Sequence, residues 1–473
     1  MVDLAIVGAG PAGMSAALTA SRRGLSVLVV DEQQRPGGQI FRQPPAAWAA
    51  PVRTPVGYRW GRPMIEECEE SAAISWRLGH TALGVTAAPD RAGSMTLLMR
   101  GPDGVDGVPV KRLLIATGAM DLPVAFPGWT LPGVYTAGGI QTMVKAQGLL
   151  PARTMVLAGA HPLLILVAEL LLEKQAHIAE VVLAQRSLRP SSLLSHLGAV
   201  PGHLGVLMHG GSAFGRLLRS RTPIRRGAIV TAARGDGRVE EVDVADVGPD
   251  WQPLGPTRAI SADGLVIGYG FQPSTELARQ VGCRLQWNSP KGGWVVSHDD
   301  HFATSVPGVY VAGEPAGVGG AEQSRAEGHL AALNIVADLG AGSPPSRGDL
   351  ARARADHRRA SRFAAMVQEA FEPNRQALLA LAKPSTPVCR CEGIERHTVE
   401  QVIEATPFLT RANALKLECR TGMGPCQGRY CELTASGLLA AARESTMEDV
   451  GHFTGQFPVR PVSVSDIATA RIR

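Results

Sequence analysis

The chain has 473 residues, of which 45% are hydrophobic and 19% charged, an ordinary balance for a globular protein with room for two or three domains. Its formal net charge of +5 is small for that length and spread along the sequence, so nucleic acid is not an implied partner. The most apolar run, Met155 to Leu172, contains His161, Pro162 and Glu169 and reads as a buried strand and helix, not a transmembrane segment.

Leu4 to Val7 is an apolar strand, and Gly8-Ala9-Gly10-Pro11-Ala12-Gly13 follows it as a tight turn. Met14 to Arg23 has helical composition, Gly24 ends that helix, and Leu25 to Val30 is a second strand with Asp31 at its tip. In this context the first glycine permits the turn, the second lets backbone approach a pyrophosphate, and the third lets helix and strand pack closely. The helix N-terminus then offers unpaired N–H groups to phosphate, and Asp31 offers acceptors to a ribose. The first strand starts almost at Met1, with a glycine turn where a cleavage site would stand. No export signal and a cytoplasmic location are therefore expected, with peripheral membrane association left open.

Arg35-Pro36-Gly37-Gly38-Gln39 is a loop placed to fold back over a bound cofactor. Residues 44 to 60 look irregular. Residues 75 to 115 read as short strands broken at Pro89-Asp90 and at Gly101 to Gly104, and Leu113 to Ile115 runs into Ala116-Thr117-Gly118. From Arg153 the strand–turn–helix pattern begins again, with Gly159-Ala160-His161-Pro162-Leu163-Leu164 as its turn and Gln185-Arg186 at the next strand tip. Val309 to Ala312 is a later apolar strand ending in Gly313-Glu314, followed by a helix from Ala321 to Val336. Gly340 to Gly348 is the clearest linker, and the arginine-rich stretch after it reads as a solvated helix face.

Five of the seven cysteines lie between Cys389 and Cys431, a cluster that points to metal before disulfides in a chain with no export signal. Two pairs stand on tight loops, Cys389-Arg390-Cys391 and Cys426-Gln427-Gly428-Arg429-Tyr430-Cys431. Four thiolates suit either one zinc or a 2Fe–2S cluster, and spacing alone does not choose.

The first turn, Asp31, the Ala116-Thr117-Gly118 strand and the Ala312-Gly313-Glu314 strand together resemble the two-dinucleotide-fold flavoproteins, such as thioredoxin and ferredoxin reductases. The resemblance covers about residues 1 to 336 and implies an α/β fold with FAD stretched over the first domain. It places Gly8, Gly10, Pro11, Ala12 and Gly13 on the pyrophosphate, Asp31 on the ribose, and Gly38 and Gln39 near the flavin. Thr117, Gly118, Gly313 and Glu314 complete that set, Glu314 standing where relatives carry Asp. The second turn departs from the pattern: His161 replaces its second glycine and Leu164 its third, so a nicotinamide pyrophosphate would meet side chains. No Cys-x-x-Cys pair is present to take electrons from the flavin as in disulfide reductases.

The cysteine segment resembles the bacterioferritin-associated-ferredoxin type of 2Fe–2S domain, which makes Cys389, Cys391, Cys426 and Cys431 the ligands and Cys419 a bystander. The whole order resembles the A subunits of heteromeric opine oxidases, the B subunit of hydrogen cyanide synthase and the alpha subunits of D-hydroxyproline or proline dehydrogenases. Gly38-Gln39-Ile40-Phe41-Arg42-Gln43 and Gly422 to Cys431 carry that match. It implies an electron-transferring subunit whose partner, a glycine-oxidase-like flavoprotein (beta) subunit, oxidises an amino acid, imino acid or opine. It also allows an FMN between subunits and a nucleotide in the second domain, neither of which maps onto residues here, and a small ferredoxin-like subunit. The alternative is a self-sufficient NAD(P)H-dependent reductase. The expected division is a discontinuous FAD-binding domain (1–125 and 295–336), a degenerate NAD(P)-binding-like domain (126–294), a linker and helix (337–384), a small helical 2Fe–2S domain (385–445) and a tail (446–473). No catalytic residue stands out by spacing.

Overall fold

The computed structural model describes residues 1–48, 57–87, 94–186, 201–468 and 470. Strand β1 (Val2–Val7) leads through a glycine turn into α1 (Pro11–Arg22) and returns as β2 (Val27–Asp31). Pro11 opens α1 at a position where its missing N–H is no loss, and Gly24, at φ +86°, closes it. Helix α2 (Gly61–Glu70) and β3 (Ile74–Leu78) follow, then the antiparallel β4 (Thr81–Ala87), β5 (Met95–Gly101) and β6 (Gly104–Ile115). The Pro89-Asp90 break lies outside the described residues.

The sheet runs β3-β2-β1-β6-β5-β4. Strand β6 changes partners along its length, antiparallel to β5 early and parallel to β1 later. In β1, Leu4 and Ile6 face one core and Ala5 and Val7 another. A parallel strand covered on both faces must be apolar without alternation.

A second parallel sheet follows β7 (Ala119–Asp121). It is built from β8 (Val134–Thr136), β9 (Thr154–Gly159), β10 (His177–Leu183) and β11 (Ile224–Arg226), with α3 (Ala137–Gln147), α4 (Leu163–Glu173) and α5 (Leu204–Arg219) as crossovers. An antiparallel set, β12 (Ala228–Arg234), β13 (Glu241–Val247) and β14 (Pro253–Ser261), covers it. Strand β15 (Gly264–Gly268) then pairs with β9 and β8. The short β16 (Phe271–Pro273), α6 (Glu276–Val281), β17 (Leu285–Asn288) and β18 (Gly293–Val296) lead back to the first sheet, where β19 (Val309–Val311) pairs with β6. Helix α7 (Gly320–Leu339) lies on α1 so closely that a Cβ on Gly328 would stand 2.0 Å from the Ala12 carbonyl oxygen.

Gly340, at φ +58°, ends α7, and Ser346 caps α8 (Arg347–Ala370) through a reciprocal bond with Asp349. The arginines at 352, 354, 358, 359 and 362 are exposed, as a solvated face requires. After α9 (Arg375–Ala380) come the short β20 (Pro387–Cys389) and β21 (Ile394–Glu395) and the helices α10 (Arg396–Ala405), α11 (Ala412–Cys419) and α12 (Glu432–Ala442). They share a core of their own that includes Val399, Leu415, Leu439 and Phe453.

Two ion pairs fasten this module to the segment that begins α6. Arg279 meets Glu432 at 2.6 Å, and Arg429 meets Glu276 at 2.7 Å. The stretch after residue 446 is built in as well. Phe453 lies against Gly422 and Gly428, where a Cβ would stand 2.5 and 2.6 Å from its ring, and the Val459 amide donates to Leu83 O.

Removing one partner of a buried ion pair strands the other charge, at a cost of roughly 3–5 kcal/mol. Arg279→Met is therefore expected to lower the urea stability of the cysteine module by about that much. Arg22→Ala, which removes an exposed pair with Glu67, should change it by less than about 1 kcal/mol. Equal effects in urea titrations would show that the docking pair is not a principal restraint.

Candidate functional site

The carboxyl ends of both parallel sheets open on one cavity of about 1870 Å³, the place where α/β folds of this kind bind ligands. Gly8, Gly10, Pro11, Ala12, Asp31, Gly38, Gln39, Thr117, Gly118, Gly313 and Glu314 all line it. Gly13 stands behind the turn: a Cβ there would lie 1.8 Å from Gly8 O. Gly8 is held at φ +110°, where a Cβ would collide with Ala116 O. Gly10 differs, since a Cβ on it would meet nothing nearer than Gly38 Cα at 3.9 Å. Its bareness serves the cavity and not the fold. Gly118, at φ +76° with nothing within 4 Å of a Cβ, leaves similar space. These open approaches fit a dinucleotide laid over the turn.

Asp31 accepts the Ala9 amide at 2.6 Å and the Gln33 amide at 2.7 Å. Burial raises its carboxyl above the usual range, against those two bonds, and each oxygen keeps a lone pair for a ribose hydroxyl. The loop after β2 folds back as expected: Gly37 N donates to Ala9 O, and Gly38 packs on Gly10. Gln39 accepts from Arg42 at 2.8 Å. Thr117 donates its hydroxyl to Ser274 O.

Glu314 accepts the Gly320 amide at 2.8 Å, and burial pushes its carboxyl up to about 7. Gly313 N donates to the buried Glu327 at 2.7 Å. No motif singles out Glu327, although a carboxylate flanked by Ala326 and Gly328 in a largely apolar helix is a visible signal.

The second turn is closed by its own side chain. Leu163 N, the amide at the start of α4 that would face a phosphate, donates to His161 Nδ1 at 3.2 Å. The imidazole packs edge-on against Phe271 at 4.9 Å. Burial lowers its pKa to about 4, so the ring stays neutral and accepts that bond. Leu164 does not intrude on the turn. It is fully buried, and Gly268 makes room for it, with a Cβ there 3.0 Å from Leu164 Cδ1.

The four paired cysteines come together from two loops. Cys389 and Cys431 are buried, Cys426 is half-buried and Cys391 exposed. Cys389 faces Cys431, and Cys391 faces Cys426. The Cys431 hydrogen bond, with backbone N–H groups of Gly422, Glu392 and Cys391, brings the Cys389 thiol down to about 5 against burial. Cys431 is pushed up by Cys389 and by burial. Among the described residues no group of three or more His, Cys, Asp or Glu is arranged to hold a metal ion. The cysteines stand as two facing thiol pairs with backbone donors at Cys389 and Cys391, a set of four thiols of the kind a two-iron cluster takes. Cys419 bonds Leu415 O and Thr421 Oγ1 instead. The second cysteine loop also reaches the cavity, through Arg429 and Tyr430.

Residues 2–161 and 216–332 match the pyridine nucleotide-disulphide oxidoreductase family, and residues 387–441 match the BFD-like 2Fe-2S binding domain. The A-subunit of opine oxidase from Agrobacterium tumefaciens (strain Ach5) is 35% identical, over 98% of this chain and 91% of its own length. Hydrogen cyanide synthase subunit HcnB of Pseudomonas aeruginosa is 33% identical, over 97% of each chain. Among solved structures, L-proline dehydrogenase from P. horikoshii superposes with a TM-score of 0.69 at 19% identity, over 98% of this chain and 79% of that one.

Gly10→Ala should leave folding intact and cost most of the bound flavin, measured as flavin released on acid precipitation against the thermal midpoint. Retention of full flavin would take the turn off the pyrophosphate. Cys431→Ser should abolish the visible spectrum of the cluster and Cys419→Ser should spare it, because a hydroxyl is a harder and far less acidic ligand than a thiolate. The reverse pattern would overturn the ligand set. NADH and NADPH should reduce the flavin slowly or not at all in anaerobic stopped flow, and fast bleaching at sub-millimolar nucleotide would contradict the closed second turn.

Proposed function

The chain belongs to the family of the opine oxidase A-subunits and hydrogen cyanide synthase B-subunits and is a flavin-dependent oxidoreductase carrying FAD and a 2Fe–2S cluster. On that premise we propose that it is the electron-transferring subunit of a heteromeric dehydrogenase. Its partner, a glycine-oxidase-like flavoprotein subunit, oxidises an amino acid, imino acid or opine. The observation that carries this reading is the shared cavity: the glycine turns and the cysteine loop, through Arg429 and Tyr430, line the same space. When bound, FAD accepts an electron pair and the cluster passes electrons singly.

In this reading the residues divide the work. Gly8, Gly10 and the start of α1 hold the pyrophosphate, with Gly13 packed behind the turn, Asp31 holds the ribose, and Gly38, Gln39, Thr117, Gly118, Gly313 and Glu314 frame the rest of the cofactor. Cys389, Cys391, Cys426 and Cys431 ligate the iron. Backbone N–H groups aimed at Cys389 favour the reduced cluster by hydrogen-bonding its sulfur. His161 withholds the second turn from a nicotinamide, which removes the usual internal electron source. Electrons therefore enter from a neighbouring subunit.

Expression of the chain alone and with its candidate oxidase subunit tests this, by dye reduction with proline, hydroxyproline and opines. Turnover is expected only in the co-expressed complex. Comparable turnover by the single chain would place substrate oxidation here and defeat the reading.

A further inference from the structure

The cavity is larger than its cofactor role explains. At about 1870 Å³ it exceeds the roughly 300–1,000 Å³ of a pocket for one small ligand. Part of its wall uses none of the residues assigned above. There the junction of α8 and α9 contributes Phe371, Glu372 and Arg375.

Arg375 is the unusual member. Its guanidinium lies 5.3 Å from the Trp287 ring centroid. Its buried Nε has no acceptor, and among the described residues its side chain forms no hydrogen bond or ion pair. Burial lowers its pKa to about 10, and Glu372 is the charge that opposes this through space. A guanidinium whose buried Nε lacks an acceptor is left partly desolvated and unpaired, which is costly. An anion in the cavity would remove that cost.

The chemistry narrows the anion. A planar fork whose face rests near an indole presents two parallel donors, which match a carboxylate. Glu372, three residues earlier on the same wall, would repel a phosphate dianion yet accept N–H donors from an ammonium. Among the described residues neither Arg375 nor Glu372 forms a hydrogen bond or ion pair, and a cation and a carboxylate lining one cavity are complementary to a zwitterion. We infer that this wall is a binding site for a free α-amino acid, its carboxylate on Arg375 and its ammonium on Glu372. The site belongs to this chain alone, needs no partner subunit and implies no turnover here.

The test uses the FAD-loaded full-length chain and isothermal titration calorimetry, with flavin difference spectra recorded alongside. The probes are a panel of free amino acids, acetate and inorganic phosphate. At least one amino acid should bind more tightly than acetate or phosphate and perturb the flavin spectrum. Arg375→Gln should weaken that amino acid by roughly tenfold or more, and Arg375→Lys should restore part of the loss. Glu372→Gln should weaken the amino acid and leave acetate unchanged. The unliganded Arg375→Gln chain should be no less stable to heat than the parent, because an uncompensated charge has been removed. Four results would overturn the inference: no amino acid binding, phosphate preferred, binding indifferent to Arg375→Gln, or a marked fall in the stability of that unliganded variant. None bears on the partner-subunit reading, which rests on turnover in the complex.

Discussion

Two ion pairs decide where the iron–sulfur module sits. Arg279–Glu432 and Arg429–Glu276 both cross from the cysteine module to the segment that begins α6. Each pair is anchored further: Arg279 also donates to Phe453 O, Glu432 accepts Phe453 N, and Gln272 donates to Arg429 O. A buried pair of this sort adds little net stability by itself, yet either charge left alone would be expensive. The module has one low-energy seat, and that seat turns the Arg429-Tyr430 loop toward the cavity. This restraint matters more than affinity between the parts, since two redox centres in one chain are useful only at a fixed separation.

The second constraint is close backbone approach. Gly8, Gly13, Gly313 and Gly328 are all places where a Cβ would strike a neighbouring atom, so the first sheet, α1 and α7 meet at main-chain distance around Ala12. Gly10 sits among them without any such contact. One motif therefore mixes glycines required by packing with a glycine required by a ligand, and only the structure separates them.

The sequence discloses what depends on local chemistry. The glycine turn with Asp31 behind it, the strand tip at Gly313-Glu314 and the paired cysteines are short patterns whose meaning survives without tertiary context. The α/β class follows from strand, turn and helix alternating twice. His161 is legible as an obstruction, but its bond to Leu163 N is not, because it depends on the ring's orientation. Leu164 reads in the sequence as a second obstruction and is not one. Its place is set by Gly268, more than a hundred residues away on a neighbouring strand, and no local pattern announces such a pairing. The stretch after residue 446 looks uninformative for the same reason: Phe453 and Val459 matter through Gly422, Gly428 and Leu83. Arg375 is one arginine among many until its lack of an acceptor can be seen.

The central claim is that electrons reach the cluster of this chain from a substrate oxidised on a neighbouring subunit. Rapid-freeze electron paramagnetic resonance of the anaerobic complex, mixed with its amino-donor substrate, addresses that claim most directly. The account expects the reduced-cluster signal to rise on the time scale of substrate oxidation in the complex, and expects none when substrate is mixed with this chain alone. A cluster that stays oxidised while the complex turns over at full rate would contradict it.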